Sequence, residues 1–282
     1  MTMYNSLTYG NVIKELRNDR FLSQGELAED ICSQGMLSRI ENNDVVPNVL
    51  VMQKICERLN VSVNYVLTLE ESKMKPENNW LDLLKQYKQS KQFAELADTL
   101  TQIEEDQIVI SHSKVELQEY AYYRGASLID HNHKSEKGLA ALQEGLNYTY
   151  NRNKANTTDM EVVLLSKIGK VYYDQGKYDL GLSFMRRSIS QFYADMSNRV
   201  KIDTTKIFYN IATALIDLKS YDEAIEFIEQ GILWSQKLKT FYCLDDLYML
   251  KGIVYQDLGR MDEAIEVAQI AETLSALATQ AV

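Results

Sequence analysis

Three stretches of one pattern, spaced about 40 residues apart, constrain this 282-residue chain more than any other feature. Ile168-Gly169-x-x-Tyr172-x-x-x-Gly176-x-Tyr178 is the first, and Ile211-Ala212-x-x-Leu215 with Tyr221-Asp222-Glu223-Ala224-Ile225 is the second. Gly252-x-x-Tyr255-x-x-x-Gly259-x-Met261-Asp262-Glu263-Ala264-Ile265 is the third. A period of this length implies helical hairpins that cannot bury their apolar faces singly and must stack. Small residues at Gly169, Ala212 and Gly252 let the first helix of each pair press against the second. Gly176 and Gly259 make the turn, and Gly181, Ala224 and Ala264 seat the return helix. Two weaker copies precede these, one from Gln86 to Ala97 with Phe93 just after the turn, the other from Tyr120 to Leu146 around Gly125 and Ala140. About five helix pairs are therefore expected.

Composition agrees with an all-α chain. Only two prolines, Pro47 and Pro76, interrupt a sequence rich in Leu, Ala, Glu, Lys and Gln, the residues that long helices favour. The polar stretch 70–79 holds Pro76 and reads as a linker, dividing a first domain at 1–69 from a repeat domain at 80–282. Cys32, Cys56 and Cys243 are odd in number and isolated, which disfavours a disulfide framework or a metal cage. No apolar run approaches the roughly 18 residues of a bilayer span, and no leader opens the sequence, so a soluble, cytoplasmic protein without membrane partners is expected.

Catalysis finds no support. The sequence has no Gly-rich phosphate loop with a Lys, no His-Glu-x-x-His, no Cys-x-x-Cys and no Gly-x-Ser-x-Gly. His131 and His133 flank Asn132, yet lack a third convincing ligand. The expectation is a protein that is not an enzyme and needs no metal or cofactor.

The first seventy residues carry a different pattern. Val12, Ile13 and Leu16 follow helical spacing up to Arg20, and Ser23 with Glu26 forms a capping box that starts a second helix through Ile31. A tight turn at Cys32 and Ser33 leads into a third helix with Met36, Leu37 and Ile40, ended by Asn42-Asn43. A fourth begins after Pro47-Asn48 with Leu50, Met52, Ile55, Cys56 and Leu59 facing inward, and a short fifth starts near Ser62. Two short helices so closely joined make a helix-turn-helix. The net charge of −10 argues against a general nucleic-acid coat, and residues 1–70 hold six Lys/Arg against nine Asp/Glu. Local placement matters more, with Lys14, Arg17 and Arg20 spaced along one helix side.

Leu22-Ser23-Gln24-Gly25-Glu26-Leu27-Ala28 followed by Leu37-Ser38-Arg39-Ile40-Glu41 resembles the Cro/C1-type (XRE) family of DNA-binding domains over residues 7–69. The resemblance implies that the third helix enters the major groove of double-stranded DNA. By it Gln24 becomes a phosphate contact, and Ser33, Gln34, Ser38 and Arg39 become candidates for base or backbone contacts. Gly35 stands where that family often places a polar side chain.

The repeats resemble the tetratricopeptide repeat, which implies a right-handed superhelix with a concave groove lined by first helices. Groove positions are then Val163, Ser166, Lys167, Lys170, Tyr173 and Asp174, followed by Lys206, Tyr209, Asn210, Thr213 and Asp217. Asn210 can donate to and accept from a peptide backbone at once, and Lys167 can meet a terminal carboxylate. Most of the tyrosines at Tyr122, Tyr123, Tyr172, Tyr173, Tyr209 and Tyr255 are expected in helix packing. The two halves together are similar to the Rgg, PlcR and PrgX family of quorum-sensing regulators. That resemblance implies a homodimer on a two-part operator, with a short signalling peptide in the groove. A repeat scaffold for a protein partner, and a phage-type repressor whose repeats only oligomerise, are the alternatives.

Overall fold

The computed structural model describes residues 9–67, 80–108, 110, 113–131, 133–151 and 156–280. Contacts divide the chain into two compact units, 1–79 and 80–282. Stretch 70–79, read above as a linker, lies outside the described residues.

The first unit holds α1 (Tyr9–Asp19), α2 (Gln24–Ala28), α3 (Gln34–Glu41), α4 (Val49–Arg58) and α5 (63–67). Polar caps set the helix starts. Ser23 and Glu26 form the expected capping box, and the side chains of Ser33 and Asn48 accept from Met36 N and Val51 N. The core is Val12, Ile13 and Leu16 from α1, Leu27 and Ala28 from α2, Leu37 and Ile40 from α3, and Met52, Ile55, Cys56 and Leu59 from the α4 region.

Three residues depart from expectation. Helix α2 stops at Ala28 instead of reaching Ile31, because Asp30 adopts a left-handed φ of 57° that the helix cannot contain. Leu50, expected inward, is 71% exposed at the start of α4. Arg17 is buried instead of joining Lys14 on the surface, for the reason given below.

The second unit is five helical hairpins: α6 (Trp80–Gln89) with α7 (Phe93–Glu105), α8 (Lys114–Asp130) with α9 (Ser135–Thr149), α10 (Asp159–Asp174) with α11 (Tyr178–Ala194), α12 (Thr205–Asp217) with α13 (Tyr221–Lys237), and α14 (Leu244–Asp257) with α15 (Met261–Gln280). Each first helix also packs on the preceding hairpin, so the core runs continuously along the stack. Tyr122, Tyr123 and Tyr173 are buried in it.

Turn and contact chemistry follow the repeat. Gly176 and Gly259 take φ of 80° and 74°, as expected. The first and fourth turns place Lys91 (58°) and Lys219 (60°) in the same left-handed state, which a side chain tolerates at some cost. Gly169 and Gly181 face each other so closely that a Cβ on either would meet the other's backbone oxygen at 2.8 or 2.7 Å. In the second hairpin the same role belongs to Gly125 and Gly138, whereas Ala140, expected there, is not among the buried residues. Gly252 is not compressed: a Cβ there would make ordinary contact with Val267 at 3.4 Å.

Candidate nucleic-acid interface and ligand groove

Helix α3 is held from behind and left open in front. Its buried end carries Glu41, whose Oε1 accepts from Arg17 Nε at 2.6 Å and whose Oε2 accepts from Arg17 Nη2 at 3.0 Å. Gln24 Nε2 donates to the same Oε2 at 2.8 Å. One buried carboxylate thus ties α1, α2 and α3 together, and the hydrogen bond to Glu41 raises the already high Arg17 pKa further. Gly10 N donates to Asn43 Oδ1 at 2.9 Å, joining the start of α1 to the end of α3. From the far side Arg58 donates to the carbonyls of Glu26, Leu27 and Glu29, satisfying the end of α2.

The outward side of α3 carries Gln34, Gly35 and Arg39, with Gln34 and Gly35 exposed, and half-buried Ser38. Gln34 with Ser38, and Gly35 with Arg39, are four residues apart and share a face. Ser33 caps the helix through its hydroxyl, which accepts from Met36 N at 3.2 Å. Gln24 is half-buried and its amide N–H is directed to Glu41, so a phosphate would have to compete with that bond.

In the repeat unit, five of the eleven expected groove residues come together: Val163, Ser166, Lys167, Lys206 and Asn210. They line one cavity of about 40 Å³ with Lys88, Tyr122, Asp130 and Ile207. Its walls are the first helices of four consecutive pairs, and its charged lining is three lysines against one aspartate. Lys167 Nζ reaches Asp130 at 2.7 Å and Lys88 Nζ stands 3.8 Å from it. Burial opposes ionisation of Asp130, but Lys167 and Lys88 outweigh it and hold its pKa below the usual carboxylate range. Burial, then the neighbouring Lys167, pushes the Lys88 ammonium down to about 8, while Asp130 pulls the other way. Lys206 Nζ lies 3.1 Å from Asp246 and 3.7 Å from the centre of the Tyr209 ring.

The remaining groove candidates do other things. Tyr173 is buried, and its hydroxyl donates to Ala214 O at 3.1 Å between α10 and α12, which makes it a packing residue. Lys170 pairs with Asp174 one turn along its own helix, Thr213 donates to Tyr209 O at 2.8 Å, and Asp217 ends α12. Asn210 lines the cavity but is buried, its Nδ2 donating to Ser166 Oγ at 3.0 Å, so it faces a neighbour before any ligand. The sequence pattern does not reveal Lys88, Asp130 and Tyr122. They sit in the two degenerate copies, where the glycine signature that places the other walls is weak. Asp203 escapes it as well: it is 2% exposed, its Oδ1 has no partner among the described residues, and burial lifts its pKa above the usual carboxylate range.

A helix-turn-helix family model matches residues 13–66, and a tetratricopeptide repeat model matches residues 205–238 and 245–274. The chain is similar to PlcR of Bacillus thuringiensis, solved in complex with the peptide PapR7 and DNA, with a TM-score of 0.77 and 19% identity over 98% of this chain and 97% of that one. The chain shares the fold of the PlcR and Rgg type of regulator. A second structure, ComR from S. thermophilus in complex with DNA and its signalling peptide ComS, gives a TM-score of 0.61 at 16% identity over 97% and 96% of the two chains. Transcriptional activator NprA of Geobacillus stearothermophilus is 21% identical over 254 residues, 88% of this chain. The chain spans 58% of that relative's length. All three are regulators and not enzymes. Among the described residues of this PlcR-like fold, no group of three or more His, Cys, Asp or Glu is placed to hold a metal, and no helix is long and apolar enough to cross a membrane.

Proposed function

We propose that this chain is a sequence-specific DNA-binding transcription regulator, acting in the cytoplasm as a homodimer, whose repeat unit binds a short peptide between its first helices. The observation that carries the reading is a division of labour within one chain. One unit presents an uncovered helix on a scaffold fixed by a buried carboxylate, and the other turns three lysines into a single cavity. PlcR and ComR, which share the fold, were solved with both DNA and a peptide.

The DNA half makes a sharp prediction. Arg39 lies on the outward side of α3 and makes no side-chain hydrogen bond or ion pair with the described residues, so it is free to read a guanine edge or a phosphate. Arg39→Ala is expected to weaken binding to the DNA beside the chain's own gene by about tenfold or more, consistent with roughly 1–3 kcal/mol for a base-reading arginine. Fluorescence anisotropy measures the affinity, and the melting temperature should not move. Equal affinity for that DNA and for an unrelated duplex, in both proteins, would remove α3 from the reading surface.

The ligand half is equally specific. Lys88 and Lys167 share the single Asp130, and Lys206 is held by Asp246; the remaining positive charge favours a negative group, so peptides with a free terminal carboxylate should bind better than their amides. Lys167→Gln or Lys88→Gln should erase that difference, about tenfold for one charge-assisted hydrogen bond. Affinity should also fall as pH rises through about 8, because Lys88 then loses its charge. Calorimetry with short peptides encoded beside the gene, acid and amide forms at about pH 7 and about pH 9, checks both. Protein partners that bind only when folded would instead favour the scaffold reading.

A further inference from the structure

The cavity between the first helices holds about 40 Å³, whereas pockets for small ligands run to about 300–1,000 Å³. A peptide can enter only if some of these helices part. One contact stands out as the place where they do. Lys91, in the turn between α6 and α7, donates from Nζ to Asp245 Oδ2 at 2.8 Å and to Asp246 Oδ1 at 3.2 Å. Those carboxylates lie 154 and 155 residues further along, in the first turn of α14. The first hairpin of the stack therefore clasps the last.

Packing elsewhere makes this clasp separable. Helices α6 and α7 pack chiefly on each other and on α8, while α14 packs on α12, α13 and α15. The three side chains of the clasp keep 45%, 13% and 29% of their surface exposed, so water and salt weaken the attraction. Asp246 has a second cation, Lys206 at 3.1 Å, carried by a helix that packs on its own. Releasing Lys91 thus does not strand that carboxylate. Three residues before Lys91 on the same helix end is Lys88, a wall of the cavity, so a shift of the turn moves the wall with it.

We infer that Lys91 with Asp245 and Asp246 forms the latch of the ligand groove: when it opens, the first hairpin leaves the last, the cavity widens, and a peptide is admitted. The identity of the occupant rests on the peptide reading above; the latch itself belongs to the unliganded chain and is tested without a ligand.

Cys243 reports its state. It is 1% exposed and stands at the N-cap of α14, two and three positions before Asp245 and Asp246. Its reaction with a small maleimide, followed site by site by peptide mass mapping, reads the open fraction. Cys56, buried in the other unit, is the control. In the native chain, raising NaCl from about 0.05 to about 0.5 M should speed Cys243 labelling several-fold and leave Cys56 unchanged. Lys91→Ala should speed it about five- to tenfold and remove the salt effect, while Lys91→Arg keeps the native behaviour. Reversing the charges of the shorter pair in a Lys91→Asp, Asp245→Lys variant, with Asp246 left to Lys206, should restore slow labelling if the contact, and not the lysine's packing, closes the stack. Labelling of Cys243 that is independent of salt and unchanged in Lys91→Ala would overturn the latch. Protection of Cys243 by a separately added peptide supports the peptide as occupant, and lack of protection counts against that occupant while the labelling rates still decide the latch.

Discussion

Replacing Glu41 by Ala should cost the helix-turn-helix unit about 3–5 kcal/mol, the usual penalty for removing one partner of a buried ion pair. The Glu41 side chain is fully buried and the Arg17 side chain is only 10% exposed. Without the carboxylate, Arg17 keeps its bonds to Leu22 O and Asn18 Oδ1, but its Nε and Nη2 lose their acceptors, as does the amide of Gln24. Because stabilities of such units are themselves only about 5–15 kcal/mol, loss on this scale should leave α1–α3 largely unprotected. Hydrogen exchange on the whole chain reads this region directly, and operator binding should vanish with it. The double change Arg17→Met, Glu41→Leu separates a buried charge left alone from a merely absent contact, since an apolar pair of similar volume should be far less damaging than Glu41→Ala. A loss below about 1 kcal/mol for Glu41→Ala would mean that the pair is not the tie described here.

The second large effect is expected at the third hairpin. In Gly181→Val the new Cβ would stand 2.7 Å from both Gly169 O and Tyr173 N, backbone atoms that cannot swing away. Helices α10 and α11 must separate, and the cost should be about 3 kcal/mol, at the upper end for overpacking a well-filled contact. Gly252→Ala is the matched control. Its Cβ would only touch Val267 at 3.4 Å, so the gain from a better helix former, up to about 1 kcal/mol, should leave it neutral or slightly stabilised. Thermal melts of the two variants should move in opposite directions or differ by several degrees. Equal melting would show that the close approach between α10 and α11 relaxes freely.

How far the amino-acid pattern reaches can be judged from single residues. Ser23 with Glu26, Asn48, Gly176 and Gly259 stand where the pattern puts them, because a cap or a turn depends on a few neighbouring residues whose chemistry is local. The all-α class and the number of hairpins are legible for the same reason: apolar periodicity and the repeat signature need no knowledge of distant partners. Tyr173 is different: the repeat resemblance places it in the groove and its ring type equally suits helix packing, and the structure makes it a packing residue. Helical spacing tells which residues share a face, yet not which neighbouring helix will cover that face, and α12 covers this one. Arg17 departs likewise, since a charged residue at surface-like spacing is buried only where a carboxylate 24 positions away completes it.

The chain's order of residues determined that there would be a helix-turn-helix followed by stacked hairpins, because those outcomes follow from short-range propensity, capping and repetition. Tertiary structure alone decided which charges meet: Glu41 with Arg17, Lys88 with Asp130, Lys167 with the same Asp130, and Lys91 with acids 154 and 155 residues away. Electrostatic attraction acts through space and falls with distance. Its pairs therefore exist only once apolar packing has curved the stack and brought distant stretches of the chain side by side.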